Sequence, residues 1–182
     1  MNRIALLVLS FGLTFSVEEV SSQVDSAKID RKDYKVQRQH DDFERTSSWS
    51  LQGFDVLSPP DQMCFFSVSL DATRRDGDSA ASPNLSFVTG VGGPGGTWGQ
   101  PPDSLLFLIS SQRIGISRAD ARPMANGWFT VFGLSVADAR QLAAGSARGR
   151  IASSGDRCDF SWSERDALLL RLFLRRELHE SM

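Results

Sequence analysis

Serine and cysteine nucleophiles need a base held by rigid neighbours within hydrogen-bond reach, and only His40 and His179 are present to supply one. His40 falls in a densely charged stretch, and His179 follows Arg175 and Arg176 at the end of a helical pattern, where it reads as a helix-end cation. Neither position predicts a triad. The same scarcity argues against zinc, because Cys64 and Cys158 stand 94 positions apart and no Cys-x-x-Cys occurs. Asp71, Asp76 and Asp78 lie close together, and paired acids can hydrolyse glycosidic bonds or hold calcium. Arg74 and Arg75 sit among them without calcium-loop spacing, so a solvated loop is the simpler reading. Arg171 and Arg175, one helical turn apart, could grip an anion, although arginine on the outer face of a surface helix is ordinary. None of these groups calls for a metal or a cofactor.

The run from Gly90 to Gly99 invites comparison with a phosphate-binding loop. It lacks the Gly-Lys-Ser/Thr ending, and Pro101-Pro102 and a strand follow it instead of a helix. Five of the seven residues from Gly90 to Gly96 are glycine, so ordering this segment is entropically costly. Trp98, with Gly95 and Gly96 beside it, is therefore the candidate binding element, since an exposed tryptophan anchors interfaces. The bland role for the same residue is to fold back and plug an edge of the core.

The elements that position these residues are mostly strands. Trp49 and Leu51 alternate with polar residues, and Phe54 and Val56 continue the pattern after Gly53, which reads as a bulge. Cys64, Phe66, Val68 and Leu70 share one parity and place the cysteine inward. Asp71 to Pro83 is polar and loop-like. Leu85, Phe87 and Val91 mark a third strand, Leu105 to Ile109 a fourth, and Ile114 with Ile116 a short fifth. The pattern then changes twice in the same way, from a strand around Phe129 or Phe160 into a helix opened by Ser-x-x-Asp-Ala at Ser135 and Ser163. A serine at that point accepts from an unpaired backbone N–H, and the aspartate favours the positive helix end. The first helix is expected to stop at Gly145. The second is expected to run to about Leu178, its leucines and Phe173 forming a wide apolar face that covers a sheet.

A hydrophobic content of 41% suits a globular chain, and a net charge of -2 leaves no footprint for nucleic acid. Arg3 followed by the apolar run Ile4 to Val17 and small residues at Val20 and Ser22 reads as a signal peptide, cut to leave Gln23 first. The run is too short to span a bilayer comfortably. Residues 23–45 hold six basic and six acidic residues and all three lysines of the chain, and so read as a flexible charged arm. Residues 46–182 then form one domain. In an exported chain the even cysteine count reads as a Cys64–Cys158 disulfide.

The order of Trp49, strand cysteine Cys64, the strands through Ile109, the capped helix between Phe129 and Ile151, and Phe160 leading into Ala167 and Leu168 resembles the invasion-associated locus B family of exported bacterial proteins. The likeness covers roughly residues 46–175. It implies a periplasmic or secreted β-sandwich-like domain without established enzymatic residues, although Cys158 here precedes the final strand and helix instead of ending the chain. The combined reading is a mainly β protein, an antiparallel sheet or sandwich with two short helices packed on it. Its expected role is that of an exported, non-catalytic binding or cell-envelope accessory protein, whose partner is another protein or an envelope component. The rivals are a carboxylate-dependent hydrolase of glycans and a carrier of a small apolar ligand.

Overall fold

The computed structural model describes residues 34–56, 64–77, 82–92 and 98–179. Period-two burial dominates them: in strand β4 (Asn84–Gly92), Leu85, Phe87, Thr89 and Val91 are buried while the residues between are more exposed. Around it lie β1 (Lys35–Asp41), β2 (Thr46–Gln52), β3 (Phe65–Arg75), β5 (Ser104–Ile109), β6 (Gln112–Met124), β7 (Gly127–Leu134), β8 (Ala147–Ala152) and β9 (Arg157–Trp162). All nine pair antiparallel in the order β1-β2-β3-β4-β7-β6-β5-β8-β9.

β6 serves both halves of this sheet. Gln112–Ser117 pairs with β5, Arg118–Met124 pairs with β7, and the register shifts between Arg118 and Asp120. Phe87 of the first half meets Phe107 and Trp162 of the second at ring separations of 5.9 Å, so the two halves face one another in a sandwich-like arrangement.

Helices α1 (Val136–Leu142) and α2 (Glu164–Glu177) pack on the sheet. Both are capped as their sequences predict: Ser135 Oγ accepts from the Asp138 N–H at 3.0 Å and Ser163 Oγ from the Asp166 N–H at 3.1 Å. Five consecutive residues of α2, Asp166 to Leu170, are buried, which requires cover on more than one side. Part of that cover is the segment after β2. Gly53, at φ 96°, turns the chain off the sheet, the Asp55 N–H donates to Asp166 Oδ1 at 2.8 Å, and Phe54 packs 5.0 Å from Trp162. The expected bulge at Gly53 is thus an exit from the sheet, a turn that favours glycine.

The Cys64–Cys158 disulfide is present, with Cα atoms 6.2 Å apart, and staples the start of β3 to β9. Three expectations need correction. The charged stretch 23–45 becomes β1 from Lys35, because its backbone pairs with β2 along the whole strand and Tyr34 and Val36 pack against the core. The polar loop expected from Asp71 begins later, since β3 continues to Arg75. The short fifth strand extends to Met124, because β7 pairs with its polar half. The signal peptide, residues 1–22, lies outside the described residues.

Candidate functional site

Of the two roles open to Trp98, the structure gives it the core plug. Its side chain is only 7% exposed and belongs to the main apolar cluster, while its carbonyl accepts from Trp128 Nε1 at 2.9 Å. The next residue is also pinned, the Gly99 N–H donating to Asp156 Oδ2 at 3.1 Å. Burying an indole gains more than exposing it, so the exposed-anchor role is withdrawn for Trp98. Gly95 and Gly96 lie outside the described residues.

Asp71 and Asp76 do not converge. Asp71 sits within β3 opposite Ser50 and Ser86, with a buried Oδ1 that accepts no hydrogen bond. Asp76 follows the strand, about 16 Å further along an extended chain, and Asp78 lies outside the described residues. Arg171 does not face a free anion either: it donates twice to the Ala143 carbonyl, at 3.1 and 2.7 Å, joining α2 to the end of α1.

His40, by contrast, finds partners that the sequence concealed. The β1–β2 register sets it opposite Ser47, whose Oγ is 3.2 Å from Nδ1, while Nε2 lies 3.1 Å from Asp42 Oδ1 and 3.6 Å from Asp76 Oδ2. A hydroxyl, an imidazole and two acids thus meet. A working triad orients the imidazole with a buried acid, whereas Asp42 here is 92% exposed and the Ser47 hydroxyl also donates to Asp76 at 3.2 Å. The cluster is a solvated polar network at the strand ends. Among the described residues no three His, Cys, Asp or Glu side chains gather as a metal site.

A surface cleft of about 830 Å³ opens where β2 leaves the sheet. β2 pairs with β3 only from Leu70 onward, so Phe65–Ser69 has no partner strand on that side among the described residues. The cleft reaches from Phe54, Val68 and Val91 on the core side to Ser67, Gly90 and Phe129 outside. Gly90 keeps it open, since a Cβ there would stand 2.9 Å from Ser67 Oγ and 3.7 Å from Met124 Cε. Phe129 and Met124 are 40% and 46% exposed, and among the described residues no ionisable side chain lines the cleft. Chemically it can shelter an uncharged, largely apolar group and offer hydroxyl and backbone hydrogen bonds. Gly90 and Gly92, at the start of the glycine-rich run, line this cleft, whereas Trp98, taken from the same run as the candidate binding element, does not. Phe129 and Met124 were missed because an outward apolar residue on a strand leaves no mark in an alternation read for its buried partners.

Compared with known proteins, the chain matches no family model, no curated protein and no solved structure. Its fold and clefts define the class: a disulfide-stapled, mainly antiparallel β protein with two short helices packed on the sheet. Among the described residues no helix is long and apolar enough to cross a membrane.

Proposed function

We propose that this is an exported, non-catalytic binding protein that takes an extended, uncharged segment of another protein along the open edge of β3. The observation that carries the reading is the coincidence, among the described residues, of an unpaired strand edge at Phe65–Ser69 with a cleft free of ionisable side chains. An added strand would satisfy the backbone groups of that edge and place alternate side chains in the cleft. Export is supported by the apolar run Ile4 to Val17 and by a disulfide of the kind that persists in oxidising compartments. Protein recovered from the cell envelope or medium should start near Gln23, and intact Met1 on cytosolic protein would count against export.

A second reading, a carrier of a small apolar molecule, is favoured by the cleft's volume, which lies within the usual range for such sites. One experiment separates the two. A capped, neutral heptapeptide of alternating valine and threonine should bind and slow amide exchange in Phe65–Ser69, whereas a neutral apolar dye such as Nile red should bind without that protection. Gly90→Leu, which fills the cleft from outside, should abolish either, and Phe129→Ala should weaken it about ten-fold. Unchanged binding in Gly90→Leu would remove the cleft from consideration.

A further inference from the structure

A second groove, about 440 Å³, lies on the outer face of the other half of the sheet, and its chemistry is the opposite of the first. Cross-strand register arranges it in rows. Leu108 stands between Arg113 of β6 and Arg148 of β8, and Leu106 stands between Gly115 and Arg150. Arg150 is already matched, forming a two-pronged ion pair with Asp159 across the β8–β9 ladder. The Arg113 and Arg148 side chains are exposed and, among the described residues, have neither a hydrogen bond nor an ion pair.

Those two arginines sit two strand spacings apart, about 10 Å between backbones, and long methylene stems allow both guanidinium groups to close over one group above Leu108. A guanidinium binds the oxygens of phosphate or carboxylate in a planar, two-pronged fashion. The local charge agrees: Arg113, Arg148, Arg150 and Arg157 face outward here against Asp159, on a chain whose net charge is -2. Arginines alone would suit any small anion. The floor between them, however, is two half-buried leucines, and Gly115 leaves a trough beside Leu106, where a Cβ would lie 3.5 Å from Leu106 Cδ2. Apolar floor and cationic rim together match a ligand that carries both properties.

We infer that this groove binds a single-chain anionic amphiphile, a phosphate monoester headgroup held between Arg113 and Arg148 and its alkyl chain laid over Leu108 and Leu106 toward Gly115. The test titrates the full chain with dodecyl phosphate below its micelle concentration, with inorganic phosphate, and with dodecanol. Dodecyl phosphate should bind at least about ten-fold more tightly than either of the others, since each lacks one half of the recognition. The double variant Arg113→Gln/Arg148→Gln should lose at least about ten-fold for dodecyl phosphate, the usual scale for removing charged hydrogen bonds. Both positions are exposed strand residues, so its melting temperature serves as the folding control. Gly115→Val should weaken dodecyl phosphate alone, and Gly90→Leu, in the other cleft, should leave it unchanged. Equal affinity for inorganic phosphate would reduce the groove to a simple anion patch and overturn the inference, as would unaltered dodecyl phosphate binding in the arginine variant.

Discussion

Burying a carboxylate is unfavourable unless its charge is matched, and Glu177 at the end of α2 is matched by residues from the far end of the chain. Arg38 donates to it through Nε at 2.8 Å and Nη2 at 2.7 Å, and the Tyr34 hydroxyl donates at 3.2 Å. Burial and the neighbouring Glu177 charge hold the Tyr34 phenol well above its ordinary value near 10, because ionising it would set two anions side by side. The sign follows from proton counting. Above pH about 10 the unfolded tyrosine has lost its proton while the folded one keeps it, so the native state loses stability as pH rises. Tyr34→Phe should therefore flatten the decline in urea-unfolding stability between about pH 9 and 11 relative to the parent, and parallel curves would show that the phenol is not responsible. None of this was legible beforehand. Tyr34 and Arg38 lie 143 and 139 positions from Glu177, and no local pattern reports a contact over that distance.

Two helix starts with the same five-residue pattern show what a local signal does and does not carry. Both serines cap as predicted, because capping involves only atoms within one turn. Both aspartates accept from the capping serine's hydroxyl, but Asp138 is half-exposed, whereas Asp166 is fully buried and also accepts from the N–H groups of Ser163 at 2.9 Å and Asp55 at 2.8 Å. Asp138→Ala should cost about 1 kcal/mol or less, and Asp166→Ala about 3 kcal/mol, because it removes a buried carboxylate that accepts from two backbone N–H groups. Equal losses in chemical denaturation would mean that the Asp55 segment contributes nothing. Strands divide along the same line. β4 was readable from its alternation and β5 from its continuous apolar run, while β1 and the second half of β6 were not. β1 carries little apolar surface beyond Val36, and Arg118–Met124 is exposed on nearly every side chain, so both are strands by virtue of the neighbour they pair with. Among the described residues β3 has an open edge where β2 departs, and it was hidden for a related reason: a missing neighbour has no sequence pattern of its own.

Chain, core and covalent bond all join the two halves of the molecule. β6 threads both halves of the sheet, Phe87, Phe107 and Trp162 meet between them, and the Cys64–Cys158 bond closes a 94-residue separation. Replacing both cysteines with alanine should lower stability by about 2 to 5 kcal/mol, the range for a native disulfide that restrains a long loop. Equilibrium unfolding in guanidinium measures it, and a change under about 0.5 kcal/mol would show that the strands hold the two halves without help. That bond also sets the terms on which the chain can be oxidised. With two cysteines in the sequence there is one intramolecular pairing, so oxidation has no isomers to sort and no shuffling step to complete. The only mispairing among its own cysteines joins two chains, a second-order event that dilution suppresses while leaving the native closure untouched.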